Sequence, residues 1–141
     1  MAKDATGARL SGRCLCGAVR FQATPRGGMH ACHCEACRRM SGGVFLSVEC
    51  VDVQATGPLK TYESSNWAVR QFCGDCGASL FWRMRDGSLD SVAVQAFDDP
   101  GAFSFDGEIY IDAKPGNYAF AGDRQRLTGA EVEAQFGMGQ D

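Results

Sequence analysis

The chain lacks what would tie it to a membrane or to nucleic acid. No uninterrupted apolar run approaches the roughly eighteen residues that a membrane span needs. Residues 1–12 hold no apolar block of the kind found in a secretory signal. Basic residues never run longer than the pair Arg38-Arg39, and the formal net charge is −3. Binding to a phosphate backbone, or to anionic lipid, needs a concentrated positive footprint, so neither partner is expected. Long helical periodicity, internal repeats and an internal linker are missing too. The expected location is cytoplasmic, where reducing conditions disfavour structural disulfides.

Eighteen glycines and eight cysteines in 141 residues are what the chain has in excess. The length suits a single domain able to bury roughly two-thirds of its unfolded surface. Short alternating stretches punctuated by glycine predict many short strands around a small core. Strands are expected within residues 10–22 (two, or one bent at Gly17), 44–53, 59–63, 67–72, 79–85, 89–97 and 103–111. Gly57-Pro58 and Asp86-Gly87 are the clearest turns. A turn or two of helix is expected at residues 35–40, ended by Gly42-Gly43. A second helix is expected at 127–138, opened by Thr128 with Glu131 three residues on. The expected division is a flexible terminus at 1–9, a cysteine-bearing domain at 10–122 and a tail at 123–141.

The cysteines fall into groups. In an extended segment residues i and i+2 face the same side, so Cys14 and Cys16 can meet one ion. Cys73-Gly74-Asp75-Cys76-Gly77 has the spacing that bends a chain round a metal, with glycines that free its N–H groups to point at sulfur. Together they form the tetrahedral four-thiolate set that zinc prefers, bridging parts of the chain that only folding can join. Free core cysteines are the bland alternative.

Cys32-His33-Cys34-Glu35-Ala36-Cys37 is a different object. Three thiolates within six residues can reach one ion, with no fourth cysteine close by. Three protein ligands and an open position mark a reactive zinc rather than a structural one. Three thiolates on a dication leave a net negative centre, a weak Lewis acid suited to sulfur chemistry. His30 is a weak candidate for a fourth ligand. His33 could serve as a donor behind the ligands, a proton shuttle or a surface residue. Glu35 could be an acid or base, or an exposed carboxylate; Arg38 and Arg39 could hold a small anion or be solvated. Ser41, Gly42, Gly43, Val44 and Phe45 suit a pocket rim. Cys50 stands alone.

As a set, Gly12-Arg13-Cys14-Leu15-Cys16-Gly17, Cys32-His33-Cys34-Glu35-Ala36-Cys37 and Phe72-Cys73-Gly74-Asp75-Cys76-Gly77 resemble the glutathione-dependent formaldehyde-activating enzyme family, from Gly12 to Tyr118. The resemblance implies a mainly β, Mss4-like fold of several short coiled antiparallel sheets around zinc sites. It implies two zinc ions, one structural on Cys14, Cys16, Cys73 and Cys76 and one open on Cys32, Cys34 and Cys37. The activity it implies is carbon–sulfur lyase chemistry, joining formaldehyde to glutathione as S-hydroxymethylglutathione, with a small thiol as partner. Glu108 stands where many relatives carry histidine, and Asn117-Tyr118 where they often carry tryptophan, which bears on the substrate. Two other functions compete. One is a non-enzymatic, zinc-stabilised protein-binding module, a role found among distant relatives of this fold. The other is a redox protein with Cys50 as resolving thiol.

Overall fold

The computed structural model describes residues 6–136. The expected flexible terminus falls partly outside them, but residues 6–9 are tied down. Gly7 donates its N–H to the Pro25 carbonyl at 2.9 Å, and the Arg9 guanidinium reaches the Asp52 carbonyl at 2.8 Å.

Ten strands and two short helices make up the domain. In chain order they are β1 (Leu10–Arg13), β2 (Arg20–Pro25), β3 (Met29–Cys32), α1 (Glu35–Ser41), β4 (Phe45–Thr56), β5 (Leu59–Tyr62), β6 (Ala68–Cys73), β7 (Ser79–Met84), β8 (Asp90–Ala93), β9 (Phe105–Ile109), β10 (Gln125–Leu127) and α2 (Gly129–Phe136). The fold is mainly β, with short, mostly antiparallel pairings that run into one another along the order β10-β9-β3-β4-β8-β7-β6-β5. β4 joins the parts: it pairs with β3 through its first half, with β2 through its second, and with β8 on its other edge. An extra residue at Asp52, in the left-handed region with φ 53°, bulges β4 against β2 and turns the sheet.

The expected strands are present, with some moved ends. β2 continues through Pro25, past the expected end at residue 22, because Pro25 opposite Cys50 closes its ladder. The extended run predicted at 89–97 breaks after Ala93 into a 3₁₀ turn, Val94–Ala96. α1 stops where Gly42 takes up φ 69°. At α2, the Glu131 carboxylate accepts from the Thr128 N–H at 2.8 Å and the Thr128 hydroxyl from the Glu131 N–H at 3.2 Å, which is a complete capping box. β3 has no counterpart in the sequence reading, and neither has β10. β10 pairs in parallel with β9, which pairs in parallel with β3. Such pairings are non-local, and three residues of Gln-Arg-Leu carry no alternation to betray them.

Because side chains alternate across a strand, the sheet sorts the buried residues into two cores. One face packs Val19, Phe21, Val48, Cys50, Phe81, Val92 and Phe97, with Cys14 and Cys73 at its edge. The other packs Cys32, Cys34, Cys37, Phe45, Ala68, Trp82, Tyr110 and Val132. Each cysteine cluster therefore belongs to its own core.

Candidate metal centres

Two similar turns build the first cluster. After β1 the chain doubles back through Cys14 and Cys16, closed by the Cys14 N–H on the Val19 carbonyl at 3.1 Å. After β6 it doubles back through Cys73 and Cys76, closed by the Gly77 N–H on the Cys73 carbonyl at 2.9 Å. Gly17 and Gly77 both have φ near 80°, which a side chain would resist. The four sulfurs all lie within 4.8 Å of one another. Backbone N–H groups of Val19 (3.3 Å, to Cys14) and of Asp75 and Cys76 (3.3 and 3.4 Å, to Cys73) point at them. Burial opposes ionisation of Cys14, but the Val19 N–H and the neighbouring thiols outweigh it and bring Cys14 down to about 6. The Ala18 N–H favours the Cys16 thiolate, yet burial and three adjacent sulfurs push that thiol up to about 12. Four sulfurs this close, with backbone N–H groups pointing at them, fit the coordination of one metal ion.

The second cluster sits where β3 meets α1. Cys32 ends the strand, Cys34 is the N-cap of α1 and accepts the Cys37 N–H at 3.3 Å, and Cys37 lies in the first turn. Their sulfurs are also within 4.8 Å of one another, and all three residues are buried. Thiol hydrogen bonds from Cys32 and Cys37 favour the Cys34 thiolate; burial opposes them and the Arg70 charge assists, leaving it well below the ordinary thiol range. Cys32 is pushed far up, first by its bonds to Cys34 and Cys37 and then by burial.

Arg70, on β6, has no precedent in the sequence reading. It is buried, and both terminal guanidinium nitrogens lie 3.6 Å from the Cys37 sulfur. Three thiolates on a dication would carry one surplus negative charge, and Arg70 sets a positive charge beside the cluster inside the protein. The only signal for it was register: in Ala68-Val69-Arg70 the arginine takes the same inward side as Ala68.

The other candidates sort plainly. His30 lies on the Cys32 side of β3 but is outside the three-sulfur group. His33 faces away and is buried. Its Nε2 bonds the Glu108 carboxylate at 2.8 Å, which excludes the surface reading. Glu108 also accepts from Arg124 at 2.8 Å and Arg126 at 3.0 Å. Burial alone would raise the Glu108 pKa, but these three partners hold its carboxyl below its ordinary value. The network clamps the β3 end of the cysteine loop to the segment that carries β10. Glu35 and Arg39 bond each other at 2.9 Å on the exposed side of α1, so neither faces the cluster. Cys50 lies in the opposite core, pushed up to about 12 by burial and by Asp90 and Glu49, and is no resolving thiol for the cluster.

A cavity of about 180 Å³ opens onto Cys32, Cys34 and Cys37. Strand register explains its floor. Leu127, Ile109, Cys32 and Phe45 lie side by side across β10, β9, β3 and β4, and Glu49, Ser91, Trp82 and Arg70 across β4, β8, β7 and β6. Tyr110 lines it as well, a buried tyrosine in the left-handed region with φ 55°. A bulky residue seldom adopts that conformation, and such strain gathers at working sites.

Fold and sites together define a mainly β protein with two cysteine clusters able to coordinate metal, one of them at the base of a cavity. The chain belongs to the glutathione-dependent formaldehyde-activating enzyme family, whose model matches residues 9–113. It is 32% identical over 128 residues to an uncharacterized lyase of Schizosaccharomyces pombe, spanning 86% of this chain and 92% of that one. It is 29% identical over 102 residues to a Penicillium rubens protein provisionally named a glutathione-dependent formaldehyde-activating enzyme. That match covers 63% of this chain but 53% of the relative, so this chain spans about half of that protein. Among solved structures, a Rhodobacter sphaeroides protein is similar with a TM-score of 0.53 and 25% identity over 63% of this chain and 88% of that one. Lyase-like enzymatic activity in general terms follows from the family and the yeast relative. No helix among the described residues is long and apolar enough to cross a membrane.

Proposed function

We propose that the protein is a zinc-dependent carbon–sulfur lyase that makes and breaks adducts between a small thiol, glutathione or a close analogue, and an aldehyde. The observation that carries this reading is the cavity onto Cys32, Cys34 and Cys37, contrasted with a four-cysteine cluster that needs no further ligand. Cys14, Cys16, Cys73 and Cys76 would hold a structural zinc. Cys32, Cys34 and Cys37 would hold the second, which when bound supplies an open position favouring a substrate thiolate.

The chain's own residues do the rest. Arg70 offsets the negative charge gathered at the cluster, so a further anionic sulfur is tolerated there. Burial, with Glu133 and the cysteines adding to it, pushes the Tyr110 phenol up to about 12, so it keeps its proton and can donate from its oxygen. The apolar walls exclude water, which strengthens every charge interaction inside. In the forward direction sulfur adds to the carbonyl carbon, and the carbonyl π pair moves to oxygen, which gains the proton that the thiol lost. Cleavage is the reverse. No oxidant or reductant is needed.

The test has two parts. Elemental analysis of protein purified without added metal should find about two zinc ions per chain, falling to about one in Cys34→Ser with the fold intact. NMR exchange between ¹³C-formaldehyde and glutathione should be faster with the native protein than with Cys34→Ser. One ion, unchanged by the substitution, together with unaccelerated exchange, sinks the reading in favour of a binding module.

A further inference from the structure

Apart from Arg70 against Cys37, the side chains packed round the three cysteines are largely apolar, and this bears on which adduct the cavity holds. Around Cys32, Cys34 and Cys37 pack Trp67, Trp82, Phe45, Leu89, Leu127 and Val132, contributed by six separate segments. Among the polar lining residues, which also include His30, Arg70, Gln125 and Gln135, Ser47 and Glu49 lie two and four residues on from Phe45 along β4, and Ser91 lies opposite Glu49 on β8. The cavity therefore offers the cluster a wall of aromatic and aliphatic side chains, interrupted by Arg70 at Cys37, with further polar groups along β4 and β8. Its volume of about 180 Å³ exceeds the roughly 150 Å³ of an apolar protein cavity that takes up benzene. Formaldehyde contributes one carbon and would leave most of that apolar wall facing water. A whole glutathione tripeptide, charged at both ends, is too large and too polar for the apolar part of the cavity, so its peptide arms would extend past it toward the polar lining.

We infer that the adduct this site prefers carries a ring-sized apolar group on the aldehyde carbon: the substrate is the thiohemiacetal of an aromatic or comparably bulky aldehyde. The inference rests on the lyase reading for its chemistry and on the cavity alone for its choice of aldehyde. Sulfur bonds to the aldehyde carbon beside the cysteines, the ring lies against Trp67, Trp82 and Leu89, and the polar remainder of the thiol extends toward Ser47, Glu49 and Ser91. The bond bookkeeping is unchanged from formaldehyde: one carbon–sulfur bond forms, the carbonyl π pair goes to oxygen, and the thiol proton follows it.

The segment beyond residue 113, outside the family match, supplies part of this wall through Leu127 on β10 and Val132 on α2. It is held in place by Arg124 and Arg126 on Glu108, on the opposite face of the sheet. The specificity-determining wall thus includes residues that the shared motifs do not cover.

The protein carries a built-in reporter, since its only two tryptophans, Trp67 and Trp82, both line the cavity. S-benzylglutathione and S-methylglutathione are stable thioethers that stand in for the two kinds of adduct. Added to the metal-loaded protein, the benzyl compound should quench tryptophan fluorescence at a concentration at least tenfold lower, since burying a phenyl group favours binding by that order. Leu89→Glu, with its circular dichroism unchanged, should remove the advantage. Val132→Ala, which enlarges the wall, should keep the ring preference and improve affinity for an S-naphthylmethyl probe. Equal affinities for the two probes overturn the inference, and so does a benzyl advantage that survives Leu89→Glu. Turnover separates the two claims. Acceleration of glutathione exchange with formaldehyde but not with benzaldehyde sinks the inference and leaves the lyase reading standing. A ring preference in binding with no thiol–aldehyde pair accelerated supports the apolar site and sinks the lyase reading.

Discussion

The two cysteine clusters use the same side chain in opposite settings. In the four-cysteine cluster two turns from distant parts of the chain close on one point, yet the cluster lies at the protein edge, with Cys16 exposed and Cys76 partly so. In the three-cysteine cluster one short loop supplies every sulfur, yet all three are buried and face a cavity. A closed set tolerates solvent because it has no position to protect. An open set needs walls that shape what reaches its free position, and the core side chains packed round Cys32, Cys34 and Cys37 supply them. Sequence separation follows the same division: Cys16 and Cys73 are 57 residues apart and act as a clip, whereas six consecutive residues hold the loop together without one.

The largest expected effect tests that division. Cys73→Ser should remove cooperative thermal unfolding or lower the midpoint by more than about 20 °C, because a structural zinc contributes folding free energy comparable with a domain's whole stability. Cys34→Ser should lower it far less, since a serine at the N-cap of α1 can still accept the Cys37 N–H. Calorimetry on both variants, read beside metal content, checks the pair. Similar losses would erase the distinction between clip and loop.

Next comes the clamp behind the loop. Glu108→Ala leaves two arginines and a histidine without their shared buried carboxylate and should cost about 3–5 kcal/mol in urea unfolding. The cavity end of the molecule should suffer first, seen as faster hydrogen exchange in β3 and β10 while β1 and β6 keep their protection. Uniform loss would show the two halves unfolding as one.

The same carboxylate sets a pH dependence. The folded Glu108 pKa lies below its ordinary value of 4.5, so the folded state favours the charged form. The stability it contributes is fully present above about 4.5 and is lost as pH falls through the lower folded value. As pH falls below about 4.5, unfolding free energy should therefore drop more steeply in the native protein than in Glu108→Gln. Parallel curves would discount the clamp.

The smallest effect is at the far wall of the cavity. Thr128→Ala removes one half of the capping box and should cost about 1 kcal/mol, with hydrogen exchange raised in α2 and unchanged at the four-cysteine cluster.

Much of this was open to sequence reasoning because cysteine chemistry is local and demanding. CxC, CxxC and a three-cysteine loop name their purpose by spacing, and the glycines at 17, 42 and 77 mark turns that a side chain would resist. Thr128 and Glu131 announced a helix start in four residues. The misses share one cause, a partner distant in the chain. Arg70 meets a cysteine 33 residues earlier, and Glu108 meets a histidine 75 residues earlier and two arginines 16 and 18 residues later. Nothing near either residue distinguishes it from an ordinary strand charge. Tyr110 likewise carries no local signal, since its left-handed backbone has no glycine to advertise it.

The sequence by itself determined the family, the mainly β character and the membership of both sulfur clusters, because metal-binding spacing and strand alternation act over a few residues. Only the tertiary structure decided which face of the sheet each cluster occupies and which charge balances the open one. It also decided that residues 124–132 complete the cavity. Those outcomes depend on strand register and on non-local, partly parallel pairing. A single residue's slip in either would send every one of these side chains to the other face.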